Sequence, residues 1–125
     1  MDKSKIIIFT FQVNKSFKDT NVITIPINCY KQLESDGFVS MNRTQRNNIK
    51  ITCEKYNRTL NGHIYYYPPT SNHTSYYQIK MDTGHSTDYY GYLKKLEVVL
   101  VVMEKTSRGV EVNLIDNIEE RLKQL

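Results

Sequence analysis

The stretch that decides the fold is Gly62-His63-Ile64-Tyr65-Tyr66-Tyr67-Pro68-Pro69-Thr70-Ser71-Asn72-His73-Thr74-Ser75-Tyr76-Tyr77-Gln78-Ile79. Two runs of strand-forming aromatic and β-branched residues flank prolines and small hydrogen-bonding residues. Pro68 and Pro69 end the first run, because proline cannot donate to a sheet ladder. The reading is a β-hairpin, His63–Tyr67 returning as Ser75–Met81, whose tip is a polar tongue, Pro68–Ser75. Tyrosine, serine, threonine, asparagine and histidine all present groups that read a polar surface, and tyrosine does so with little side-chain entropy to lose. Nine of the ten tyrosines lie between Tyr56 and Tyr92, so the tongue stands within the aromatic part of the chain.

On the N-terminal side, Ile7, Phe9, Phe11 and Val13 alternate with Ile8, Thr10 and Gln12, the period of a strand with one buried face. A polar arm, Asn14–Asn21, separates it from a second strand, Val22–Ile25. Pro26 suits a helix start, and Ile27, Tyr30 and Leu33 recur at helical spacing, so Ile27–Ser35 reads as a short helix closed by Asp36-Gly37. Phe38–Met41 reads as a short strand. Ile49, Ile51 and Cys53 alternate with polar partners, and a turn over Asn57–Gly62 is expected at the dipeptide Asn61-Gly62.

On the C-terminal side, Tyr89, Tyr92, Leu93 and Leu96 mark a helix over Thr87–Leu96. Val98–Met103 is apolar throughout and reads as a strand buried on both faces. A turn at Ser107–Gly109 leads to the alternating strand Val110, Val112, Leu114. Asp116 and Glu119 form a capping box for a terminal helix bearing Ile118, Leu122 and Leu125.

Composition narrows the class. With 125 residues, 39% hydrophobic and 24% charged, the chain is one globular domain. No apolar run approaches the roughly 18–20 residues of a membrane span, and a cytoplasmic location is expected. Cys29 and Cys53 have neither CxxC nor metal-ligand spacing, and free thiols are expected. The net charge of +4 is concentrated: Arg43, Arg46, Lys50, Lys55 and Arg58 stand against Glu54 alone. Such a basic stripe is what a polyanionic partner requires.

Motifs for catalysis are missing. The sequence has no GxxxxGK[ST], GxGxxG or GxSxG. His63, His73 and His85 have no helical i, i+4 pair of the kind zinc sites use. Glu97, Glu104 and Lys105 flank the most apolar strand without the acid-x-lysine triplet of a metal-dependent nuclease. A non-catalytic binding domain without cofactor or metal is the expectation.

The element order, with Ile23-Thr24-Ile25-Pro26 leading into the helix Ile27–Leu33, resembles the DNA-binding pseudobarrel. That family includes plant B3 domains and the effector domains of restriction endonucleases of the EcoRII kind. Gly62–Tyr67, Ser71-Asn72 and Tyr76–Ile79 are similar to its aromatic strand, polar turn and return strand. Gly84–Leu96 and Val98–Met103 stand where its second helix and closing strand belong. Leu96-Glu97 replaces the Gly-Asp of plant members, and the chain has no tryptophan, which favours the restriction-enzyme branch.

The resemblance implies a mainly β (α+β) fold: a seven- to eight-stranded open pseudobarrel over 1–115 with two short helices. Separately, the apolar stripe of the C-terminal helix over 116–125 would either pack on the barrel or link to a missing domain. The resemblance also implies sequence-specific binding of double-stranded DNA, as the target-recognition module of a restriction-modification system whose nuclease or NTPase part lies elsewhere. Two arms would grip the major groove, Asn14–Asn21 and Pro68–Ser75. Lys15, Lys18, Arg43, Arg46 and Lys50 would meet phosphates. Asn72 would pair with adenine, and Ser71, His73 and Thr74 would work at base edges. Ser16, Asp19 and Asn21 would do the same from the first arm, with Asp19 either accepting from a cytosine amino group or capping the loop. Tyr76 would reach a phosphate or close the hairpin. The alternative is a small stand-alone protein-binding inhibitor, of the phage anti-defence type, using the tyrosine-rich loop as a paratope.

Overall fold

Period-two alternation becomes a single sheet of seven strands. The structure, a computed structural model, describes residues 5–40, 42, 46–53, 58–82 and 93–116. The strands are β1 (Lys5–Gln12), β2 (Val22–Thr24), β3 (Asn47–Cys53), β4 (Arg58–Tyr67), β5 (Tyr76–Met81), β6 (Val98–Thr106) and β7 (Gly109–Ile115). Two short helices, α1 (Lys15–Thr20) and α2 (Tyr30–Ser35), lie among them, α2 continuing a 3-10 turn over Ile27–Cys29. The strand order is β1-β6-β7-β3-β4-β5-β2, and every neighbouring pair is antiparallel except β3 and β7. The result is a nearly closed, mainly β barrel.

The core is one face of each strand. Ile7, Phe9 and Phe11 of β1, Ile49, Ile51 and Cys53 of β3, and Val110, Val112 and Leu114 of β7 point inward. Val99, Val101 and Met103 of β6 have no exposed surface. Each such aliphatic side chain contributes roughly 1.5–3 kcal/mol by leaving water.

The helices close the seam between the edge strands β1 and β2. Asn14 caps α1 by accepting from the Phe17 N–H at 3.0 Å, and Asn21 ends it in the left-handed conformation (φ 60°). Phe17, the one buried residue of α1, meets Phe11 edge-on at 5.1 Å. On α2, Leu33 is fully buried, Tyr30 packs edge-on against Tyr77 at 5.1 Å, and Gln32 donates to the Ile6 carbonyl at 2.9 Å. Thus α2 touches both β1 and β5.

Four expectations are corrected. The arm Asn14–Asn21 is a capped helix, not a loop, because asparagines at both ends satisfy its backbone and Phe17 anchors it. Phe38 and Val39 form no strand. Both are buried and turn their N–H groups back to the Leu33 carbonyl, at 3.0 and 3.3 Å. No turn occurs at Asn61-Gly62, since β4 runs straight through it, with Gly62 paired to Ile49 on one side and Met81 on the other. Glycine is required there by close approach: a Cβ would stand 2.5 Å from both Ile51 Cδ1 and the Lys80 carbonyl oxygen. Finally, β6 is buried on one face only; Val98, Leu100 and Val102 stay partly exposed outside.

The α2 reading holds, and Gly37 (φ 77°) follows it in the left-handed region that favours glycine. Of the expected helix Thr87–Leu96, Leu93–Lys95 is a 3-10 turn and 87–92 lie outside the described residues, as do 117–125 of the terminal helix. No described helix is long and apolar enough to cross a membrane.

Candidate functional site

On β4 the alternation sends Ile64 and Tyr66 toward the core and leaves His63, Tyr65 and Tyr67 outside. Across the ladder Tyr67 faces Tyr76, Tyr65 faces Gln78 and His63 faces Lys80. The outer rings therefore form a continuous row. His73 meets Tyr76 edge-on at 5.0 Å, Tyr76 stacks on Tyr67 at 4.6 Å with planes 16° apart, and Tyr67 meets Tyr65 at 4.6 Å. His63 follows at 6.1 Å from Tyr65. The Lys80 ammonium lies 4.6 Å from the Tyr65 centroid and 4.8 Å from that of Tyr67, and donates to the Tyr67 hydroxyl. Cation–π contact and hydrogen bond together fix the lysine over the row.

At the tip of the hairpin, Ser71, Asn72, His73 and Thr74 are all exposed. The tongue is nonetheless ordered from within. Thr70 N–H donates to the His73 carbonyl at 2.9 Å, and Asn72 N–H donates to Thr70 Oγ1 at 3.1 Å. His73 Nδ1 donates to the Thr74 carbonyl at 2.8 Å, which leaves Nε2 as the outward acceptor. The Asn72 amide and Ser71 hydroxyl make no side-chain hydrogen bond among the described residues.

The first arm enters β2 at Val22, which pairs with Lys80, whereas the tongue enters β5 at Tyr76. The roots of the two arms are thus about 13 Å apart along β5, four residues at ~3.3 Å each. Lys15, Ser16, Lys18 and Asp19 are exposed on α1. The Ser16 carbonyl accepts from Thr20 Oγ1 at 2.7 Å. Asn21 is spent on ending the helix, and its Oδ1 is buried with no hydrogen-bond partner among the described residues.

Beyond His63 the strip ends in a charged cluster that sequence reading did not anticipate. Asp82 Oδ1 accepts from His63 Nδ1 at 2.7 Å and from Arg46 Nη2, and Arg46 Nε donates to Asn48 Oδ1 at 2.8 Å. Partial burial pushes the Asp82 pKa up, but the hydrogen bonds from His63 and Arg46, with their charges, outweigh it and hold the carboxyl below its ordinary value. Lys50 donates to Asn61 Oδ1 at 2.6 Å. Arg46 and Lys50 therefore share the outer surface of β3 and β4 with the tyrosine row, and Arg43 lies outside the described residues. The residues from 46 to 82 in this cluster are too far apart in sequence to be linked by spacing.

Both cysteines are buried and outside any disulfide, and burial pushes the Cys29 thiol above its ordinary pKa. No three described His, Cys, Asp or Glu side chains group as a metal site requires. Neither a scan against protein-family models nor a search of curated proteins finds a match to this chain.

Proposed function

We propose that this chain binds double-stranded DNA, as a pseudobarrel of the B3-like type. In this reading it is the non-catalytic target-recognition module of a cytoplasmic restriction-modification system, with nuclease or NTPase chemistry carried by another domain or subunit. The observation that carries the reading is the outer strip of β4 and β5. It is polar and aromatic; the exposed tongue joins it at Tyr76, and α1, with Lys15 and Lys18 exposed, leads into β2 opposite Lys80. The roughly 13 Å between the arm roots is comparable to the ~12 Å width of a B-form major groove.

In this reading Lys15, Lys18 and Lys50 meet phosphates and fix register without reading sequence. Arg43 joins them. Arg46 does so only by sharing its guanidinium with Asp82, so its contribution is smaller than that of a free arginine. Asn72 offers a donor and an acceptor to adenine N7 and N6, and Ser71, His73 and Thr74 reach adjoining base edges. Tyr76, stacked on Tyr67 and met edge-on by His73, holds the tongue in position.

The test is binding to a randomised duplex pool across a salt series. Neutralising about five phosphates gives a log–log slope near −4 to −5. Asn72→Ala should relax base preference, while Arg46→Ala weakens all sequences alike. No retention of any duplex at 50 mM salt overturns the reading.

One observation favours a second reading as a protein-binding module. The outer face of β1 and β6 is apolar, with Ile6 46% and Ile8 60% exposed beside the partly exposed Val98, Leu100 and Val102. A chain that ignores duplex DNA, but whose association with a protein partner is abolished by Ile8→Lys, follows this second reading.

A further inference from the structure

A cavity of about 410 Å³ opens on the barrel wall beyond the Asp82 cluster, lined by Asn48, Lys50, Asn61, Asp82 and Arg108 with the backbone of Gly62 and Gly109. That volume lies within the ~300–1,000 Å³ of small-ligand pockets. Its chemistry is one-sided. Asn48 Oδ1 accepts from Arg46 and Asn61 Oδ1 from Lys50, which leaves the N–H groups of each amide as donors for a further partner. Neither amide nitrogen has an acceptor among the described residues.

Arg108 sits exposed in the β6–β7 turn, whose backbone is held by its N–H to Thr106 Oγ1 at 3.1 Å. Its guanidinium forms no ion pair among the described residues, and neither does the Lys50 ammonium. The one lining carboxylate, Asp82, is already engaged by Arg46 and His63. Glu111, opposite Lys50 in the β3–β7 register, forms no ion pair with it among the described residues. The wall at Gly109 is open, with no atom within 4 Å of where a Cβ would stand. Arg108, Lys50 and two amide donors thus line one opening, whose single lining carboxylate, Asp82, is already engaged.

We propose that this cavity binds a phosphate group, clamped between Arg108 and Lys50 with Asn48 and Asn61 donating to its oxygens. Arginine and lysine make charge-assisted hydrogen bonds to phosphate, and arginine does so through two parallel N–H groups. The phosphate belongs either to a free nucleotide or to the backbone of a duplex lying along the outer strip. The second source rests on the DNA-binding reading and extends it to Arg108, which lies beyond both arms; the first does not.

The experiment titrates the full chain by calorimetry with pyrophosphate and with dAMP, and in parallel measures the duplex salt slope. Wild type, Arg108→Gln and Lys50→Gln are compared, with melting curves to show that both variants fold. Saturable pyrophosphate or dAMP binding that weakens at least tenfold in both variants establishes the free-nucleotide source. No binding of either probe, with a duplex slope shallower by about 0.9 in Arg108→Gln, establishes the backbone source. Absence of both effects overturns the proposal while leaving duplex binding by the arms standing. Pyrophosphate binding without any duplex binding upholds the pocket and overturns the DNA reading.

Discussion

Gly62→Ala separates a strand interior from a turn at the dipeptide Asn61-Gly62. The added methyl would stand 2.5 Å from Ile51 Cδ1 and from the Lys80 carbonyl oxygen. Ile51 is fully buried and can yield only by leaving its rotamer, while Lys80 O is backbone and moves only if β5 moves. Overpacking of this kind costs about 1–3 kcal/mol. Alanine returns ~0.4–1 kcal/mol by narrowing the unfolded ensemble. The net loss is then about 1–2 kcal/mol. At ~4 °C per kcal/mol for a chain of this size, the melting temperature should fall by roughly 4–8 °C. Thermal and urea unfolding followed by circular dichroism measure it. Hydrogen exchange adds a local readout, because the Asp82 N–H that donates to the Asn61 carbonyl at 3.0 Å should exchange faster once β4 and β5 are pushed apart. A variant as stable as wild type, with the Asp82 amide equally protected, would refute the straight passage of β4 through Gly62.

Two further outcomes test the architecture. Phe17→Ala empties the only buried position of α1 and should cost about 3–5 kcal/mol, read as a lowered urea midpoint; a loss below 1 kcal/mol means that α1 does not seal the β1–β2 seam. Asp82 has a folded pKa below its unfolded value, so its contribution is complete above the ordinary carboxylate pKa of ~3.9 and is lost as pH falls through the folded value. Stability measured from pH 7 down to 2 should therefore decline less in Asp82→Asn than in wild type at the acid end, and parallel curves would contradict the assigned ion pairs.

Strands β3 and β7 were legible because each alternates cleanly with one apolar face, β1 because Ile7, Phe9 and Phe11 recur at period two, and the hairpin around the tongue from proline and aromatic placement. The mainly β content followed from those, and the open barrel from the resemblance to the pseudobarrel family. Helix α1 was hidden because six residues with a single buried phenylalanine have no period, although Asn14 three positions before Phe17 is a readable cap. Asn61-Gly62 misled because the same dipeptide that suits a turn also supplies the missing side chain that close packing demands. The exposed outer face of β6 was unreadable, since a run of valine and leucine looks alike whether one face or two are covered. Exposure of Ser71–Thr74 was legible from polarity. The union of Arg46, His63 and Asp82 was not, because only the β3–β4–β5 register brings them together.

The β1–β6 pairing governs how this chain can be made. Gln12 pairs with Val98, 86 positions later (98 minus 12), and Lys5 with Lys105. During synthesis at ~5–20 residues per second, the first strand is translated on the order of 4–17 s before its partner. The β3–β4–β5 meander needs only neighbours in sequence and can form in that interval. Ile7, Phe9 and Phe11 meanwhile have no wall to cover them, so β1 is a segment on which a holding chaperone would act.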